Sequence, residues 1–425
     1  MKIRLVVRLV VCGLMGAWLL PAYADEDRLL GANFAGLLEY AREHNPELAA
    51  TRFDADAAVQ RAQSAAALPD PVLRTELMDI TNQGTNKSAS LLPSQVGSTR
   101  YTLMQSVPWF GKRDLKRGVA EAQVAQANGQ TSTTWAELSG KIKSAYAMYY
   151  YLYGSEQLTR EMLSLMSNLE QVAQTRYANG FGAQQDVIRA QVEQTGLHGE
   201  LIDLENEQHH VHGRLNTLLS RPAMAALAQP AQLRPLPQAA QLSYPLLEEK
   251  LRTRNPQLQV ADARRSEAEK SRDLVYTNRY PGFTLGVAPN QSGSAVKSWD
   301  LMVEFNIPLQ QESRRSQERE AEAVLAASGA RKEALLNQML AELSESVSGL
   351  ETARRSELLT ATRLLPQAEL TYQSALAGYE TGKVDFATLL DAQRQILKAR
   401  QQRLKAQFEA QMRLAEIERL LGEEL

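Results

Sequence analysis

The sequence predicts a mainly α-helical protein with two strand pairs suited to a membrane, built as two copies of one structural unit. Three observations predict this. Landmarks recur about two hundred residues apart, two stretches of more than 60 residues favour uninterrupted helix, and one strand alternates strictly between apolar and mostly polar positions. Leu37-Leu38-Glu39 with Asn45-Pro46-Glu47-Leu48 returns as Leu246-Leu247-Glu248 with Asn255-Pro256-Gln257-Leu258. Val107-Pro108 returns as Ile307-Pro308, and Tyr177-Ala178-Asn179-Gly180 as Tyr379-Glu380-Thr381-Gly382. Ala190-Gln191 and Ala392-Gln393 follow the two turns at matching distances. A period this long marks two copies of a unit packed about a pseudo-symmetry axis.

Residues 1–24 read as a secretory signal: Lys2, Arg4 and Arg8, an apolar run Leu9–Leu20, then Ala22-Tyr23-Ala24 for cleavage. Cys12, the only cysteine, lies too early for a lipoprotein site. The mature chain then has no disulfide, thiolate nucleophile or cysteine metal ligand. Cleavage moves the formal net charge from -2 to -5 by removing those three basic residues. An acidic exported chain of this kind is a poor nucleic-acid binder. With no transmembrane helix after Ala24, it is either soluble or crosses a membrane as strands, since only helices and closed barrels satisfy their backbone in lipid.

The repeats occupy 25–220 and 246–425, joined by a Pro-, Ala- and Gln-rich linker at 221–245. Each is read as helix, strand, loop, strand, long helix, tight turn, helix. The first copy opens with a helix over Phe34–Leu68, stopped by Pro69-Asp70-Pro71. Strands follow over Val72–Ile80 and Thr99–Val107, around a polar loop Thr81–Gly97. In the second copy Trp299, Leu301, Val303, Phe305 and Ile307 make one apolar face, and Ser298, Asp300, Met302, Glu304 and Asn306 the other. Such alternation fits a half-buried strand of a soluble sheet or a strand facing lipid. The long polar helices around it offer no other apolar segment to pack upon, and a tilted membrane strand needs 9–11 residues. The lipid reading is preferred.

The stretches Asp114–Tyr177 and Glu312–Tyr379 contain one proline, Pro366, and are rich in helix-forming residues. At about 1.5 Å per residue each is near 100 Å long, so it must lie along partner helices. Pro366 is expected to kink the second. Return helices over Gln184–Leu219 and Phe386–Leu421 are half as long. The opening helix of each copy, stacked end to end with a return helix, supplies the missing length.

These residues resemble the outer-membrane factors of bacterial efflux pumps, the TolC-like proteins. The Asn-Pro-x-Leu helix starts, the strand end Val107–Lys112 and both Tyr-x-x-Gly turns carry the likeness, and Leu68–Pro71 is similar to the heavy-metal-type members. The resemblance implies a homotrimer whose four strands per chain complete one twelve-stranded outer-membrane barrel above a periplasmic helical barrel. It implies a passive duct, not an enzyme, without a cofactor. Its partners would be a periplasmic adaptor (membrane fusion) protein, an inner-membrane pump and outer-membrane lipid, with metal cations as candidate cargo. A soluble periplasmic coiled-coil scaffold is the competing reading.

The resemblance also implies site residues. Tyr177, Gly180, Tyr379 and Gly382 fall at the periplasmic tip where the adaptor docks. Asp186 and Tyr379 occupy the positions of an aspartate–tyrosine latch, and Asp391 matches an aspartate ring narrowing the pore. Thr388 stands at the other ring position. Val384 takes the place of a basic gate residue, with Lys383 beside it. Separately, His209 and His212 share a helical face and are the only candidate metal ligands, but with no third ligand placed beside them a solvated polar face is the preferred reading.

Overall fold

The computed structural model describes residues 30–81, 89, 91–93 and 96–425. The signal segment and most of the loop 81–97 lie outside the described residues. Among the described residues no helix is long and apolar enough to cross a membrane.

The opening helix of each copy is two helices. In the first copy α1 (Phe34–His44) and α2 (Pro46–Ala65) meet at Asn45. The single helix expected to Leu68 fails at Pro46, which has no N–H to give and forces the residue before it out of the α region; Asn45 sits at ψ 120. Its side-chain oxygen accepts from the N–H groups of Glu47 (3.0 Å) and Leu48 (3.1 Å), capping α2. The second copy repeats this with α5 (Tyr244–Arg254) and α6 (Pro256–Tyr276), where Asn255 accepts from Leu258 N–H at 2.7 Å.

The asparagine amides do a second job. Asn45 donates to the carbonyl of Leu218 at 3.1 Å, at the end of α4 (Gln184–Leu218). Asn255 donates to that of Leu420 at 2.6 Å, at the end of α9 (Phe386–Leu421). One side chain therefore caps the start of an opening helix and satisfies a free carbonyl at the end of a return helix. Neither aspartate nor serine could do both with this reach and polarity. This joint makes two short helices one quasi-continuous rod, set along α3 (Lys112–Ala178), which packs on α2 and α6 in one half and α4 and α9 in the other.

The partner of α3 in the second copy is α7 (Gln311–Leu359), a π-helical turn at Thr360–Leu364 and α8 (Leu365–Glu380). Pro366 lacks the N–H for an α-helical bond and its ring crowds the preceding turn. The chain widens by one residue instead, with Leu365 N–H bonded to Thr360 O. Apolar clusters hold the rod together at both Asn-Pro joints. Leu37, Leu138, Ile142 and Leu219 pack at the first; Leu247, Leu251, Leu343, Leu414 and Ile417 pack at the second.

At one end of the rod, β1 (Val72–Met78), β2 (Ser98–Val107), β3 (Phe283–Ser292) and β4 (Ala295–Phe305) form one antiparallel sheet in chain order. The first strand ends at Met78, two residues before the expected Ile80, and the next residue, Asp79, takes a positive φ of 56. The second hairpin closes through Gly293-Ser294 alone, with Gly293 at φ 64. Leu103, Val287 and Leu301 line up across three strands on the face of Trp299 and Phe305. That face is bare: Trp299 is 69% exposed and Leu301 76%. On the opposite face Arg100 bonds Asp300 (3.0 Å) and Asn290 (2.9 Å), tying polar side chains of three strands together.

Candidate functional site at the helical tip

At the other end of the rod α3 turns into α4 and α8 into α9, and the two turns are built alike. Gly180 N–H bonds Tyr177 O at 3.0 Å and Phe181 N–H bonds Arg176 O at 2.8 Å. The second turn repeats these as Gly382 to Tyr379 at 3.0 Å and Lys383 to Gly378 at 2.8 Å. This pair of bonds is the Schellman closure, which needs a left-handed residue after the helix. Gly180 at φ 75 and Gly382 at φ 72 supply it.

The tyrosines before the glycines differ. Tyr177 is half exposed, whereas Tyr379 is 3% exposed, with its ring 5.5 Å from that of Phe386. Its hydroxyl is buried without a hydrogen-bond partner in the single chain. Asp186 lies close enough to interact electrostatically: its charge, after burial itself, raises the Tyr379 pKa, with Arg176 opposing. No hydrogen bond joins Asp186 to Tyr379 within this chain. Burial lifts the Asp186 carboxyl above the usual carboxylate range against Arg189; Asp385 adds to the rise, and Arg176 opposes it.

The two copies place their acid differently. Asp385 is the N-cap of α9, accepting from Thr388 N–H (2.9 Å) and Thr388 hydroxyl (2.6 Å), which holds its carboxyl below the ordinary range. At the matching position before α4 stands Ala183, with no side-chain cap. Thr388 is thus engaged locally with the cap. Asp391 is exposed on α9, 3.7 Å from Arg394, which reaches Glu193 of α4 at 2.5 Å. Lys383 is exposed.

The sequence reading missed Arg176. Its guanidinium donates to Tyr379 O (2.8 Å) and Glu380 O (3.0 Å) across the two hairpins, and stacks 4.8 Å from the Tyr379 ring centroid. The signal was present as a basic residue in the last turn of α3 with no counterpart in α8, where Gly378 stands. His209 is exposed, and His212 approaches the Asn216 amide at 3.4 Å. Among the described residues no group of three or more His, Cys, Asp or Glu is arranged to hold a metal.

An open sheet with one bare apolar face, mounted on a helical rod near 100 Å long, defines a subunit of a membrane-spanning channel. A model of the outer membrane efflux protein family matches residues 37–221 and 247–423, and the chain belongs to that family. It is 23% identical over 393 residues to the cobalt-zinc-cadmium resistance protein CzcC of Cupriavidus metallidurans, spanning 91% of this chain and 88% of that protein. Its fold is that of the outer-membrane channel OprN (TM-score 0.78, 20% identity, 92% of this chain and 89% of that chain). It also matches CusC (TM-score 0.78, 17% identity, 92% of each chain) and VceC of Vibrio cholerae (TM-score 0.76, 18% identity, 92% and 96%). The chain is an outer-membrane efflux duct with its helices in the periplasm, a passive conduit and not an enzyme.

Proposed function

We propose that three copies of the chain form the exit duct of a tripartite pump, receiving cargo from an inner-membrane transporter through a periplasmic adaptor. The open sheet carries this reading. Strands β1 and β4 each leave an edge unpaired, and unpaired backbone in lipid costs several kcal/mol per group. Only joining β4 of one copy to β1 of the next removes every edge, and three copies give twelve strands. The rod supports the same head-to-tail closure. Exposed apolar residues stand on α4 (Ile188, Val192, Ile202) and, separately, on α7 and α8 (Leu358, Leu359, Leu370), in the tip half of the rod. Each set is then covered by the other in the neighbouring copy.

The two turns are the periplasmic tip. Tyr177, Gly180, Tyr379 and Gly382 form the adaptor-docking end, and Asp186, Tyr379, Lys383 and Asp391 the gate. The buried Tyr379 hydroxyl beside Asp186 is a bond ready to be made as the tip closes. The aspartates at 391, repeated three times, would converge on the axis and favour cations. The named relative CzcC makes divalent metal cations the first cargo to try.

The protein should be recovered from detergent-extracted outer membrane as a heat-sensitive trimer that conducts in planar bilayers. A monomer confined to the soluble periplasmic fraction would sink the duct. Asp186→Ala with Tyr379→Phe should raise single-channel conductance; unchanged conductance would remove the latch. Loss of the gene should lower zinc, cobalt or cadmium tolerance in its host, and unaltered tolerance to all three would reject the metal cargo.

A further inference from the structure

Arg176 touches both turns at once. Through Nη1 it donates to the carbonyls of Tyr379 (2.8 Å) and Glu380 (3.0 Å), and through Nη2 to that of Phe181 in its own turn at 3.3 Å. The acceptors on the second hairpin belong to the last turn of α8, where carbonyls lack helical partners and the helix dipole is negative. Tyr379 O already accepts Gly382 N–H in the Schellman closure, so Arg176 grips the same carbonyl that closes that turn. The guanidinium carbon lies over the Tyr379 ring, 4.8 Å from its centroid. A planar fork that bridges two carbonyls while stacking is a capacity of arginine that lysine lacks.

We propose that Arg176 is the positioning residue that fastens the second hairpin's turn to the first within one chain. Opening of the tip then has to part the two hairpins of one chain against this tie, so its loss favours the open tip. This rests on the reading of the hairpins as the gated tip. It assigns the tie within a chain to a residue other than the Asp186–Tyr379 pair. Because its acceptors are backbone carbonyls, the tie has no titrating partner. The competing role for Arg176 is to balance the carboxylate of Asp186, a task shared with Arg189.

The two roles separate in hydrogen exchange on the intact detergent-solubilised oligomer, whose assembly is checked on an unheated gel. In Arg176→Ala the amides of residues 378–384 should exchange about tenfold faster or more, the scale set by losing charge-assisted hydrogen bonds. Arg176→Lys should recover only part of that protection. Adding Asp186→Asn to Arg176→Ala should leave the acceleration in place, and conductance should rise in both arginine variants. Unchanged exchange in Arg176→Ala overturns the proposal, as does restored protection in the double variant, which would show that Arg176 acts through the carboxylate. A wild-type protein that fails to conduct would count against the duct alone, because the exchange result reads the tie without requiring a pore.

Discussion

At the scale of single residues, the strongest constraint lies in the middle of the rod. Lys143 of α3 and Glu418 of α9 meet at 2.7 Å with side chains only 5% and 2% exposed. Arg234 from the linker takes the other carboxylate oxygen of Glu418 at 2.7 Å, Glu424 approaches Lys143 at 3.1 Å, and Leu425 N–H bonds Glu418 at 2.9 Å. Both cations also lie over the ring of Phe34, each 5.6 Å from its centroid. One carboxylate thus gathers the long helix, the linker and the chain end at one point. Breaking a buried pair strands a charge, so Glu418→Ala should cost about 3–5 kcal/mol. Replacing the pair together, Lys143→Met with Glu418→Leu, should recover most of the loss, since Arg234 can turn to solvent. Denaturant melts of the oligomer check both values; equal destabilisation in the single and double variants would show that the pair acts through packing alone. None of this was legible in the sequence. The partners are 275 residues apart, and a lysine in a long helix reads as a solvated charge until its partner across the fold is known. Arg176 escaped for the same reason: a basic residue near a helix end is ordinary until its acceptors across the fold are known.

At the scale of elements, the sequence carried more, because turns and helix ends are set by local chemistry. Both Tyr-x-x-Gly turns close as their glycines imply, and α9 runs over Phe386–Leu421 as the spacing predicts. The Asn-Pro motif was legible as a helix start. Its amide bond to a return helix was not, since that depends on where the other rod ends. Pro366 announced a disturbance, but a kink and a π turn placed before the proline both answer its missing N–H, and the chain takes the second. Two glycines at similar φ make the point testable. A Cβ on Gly180 would meet nothing within 4 Å, whereas one on Gly422 would stand 2.6 Å from Pro256 Cδ and 2.7 Å from its Cγ. Gly180→Ala should therefore cost only the left-handed backbone penalty, about 1–2 kcal/mol. Gly422→Ala adds crowding of a rigid ring at the Asn255-Pro256 joint, a further cost of about 1–3 kcal/mol. Thermal melts of the oligomer should rank them in that order; a reversed ranking would mean that the Gly180 turn is packed against a neighbouring chain.

At the scale of the whole molecule, the fold makes sense only when its surface is sorted by solvent. The polar rod stands in water, while the sheet turns Leu103, Val287, Trp299, Leu301 and Phe305 outward, unpacked against any other described part of the chain. Alternation in β4 was legible because period two is a local property. Which face meets lipid follows from the lack of a covering layer among the described residues, and the need for further copies from the open edges, neither of which a single strand declares. The sharpest test exploits adjacent residues that alternate by construction. Leu301 and Met302 are neighbours near the middle of β4 (Ala295–Phe305), so they share depth, strand and assembly route. Leu301 is on the bare face, and Met302 is on the face of Asp300, set over Gly286 with Met104. A basic residue at the bilayer midplane on the lipid side costs about 2–4 kcal/mol, and far less where it reaches a water-filled lumen. Leu301→Arg, repeated around a closed ring of copies, should abolish the heat-sensitive oligomer and its recovery from the outer membrane. Met302→Arg should assemble and alter conductance or ion preference instead. Equal tolerance of both would mean that the sheet is covered by protein on its apolar side, and the barrel would have to be abandoned for a soluble scaffold. Loss of assembly only in Met302→Arg would mean that the faces are inverted.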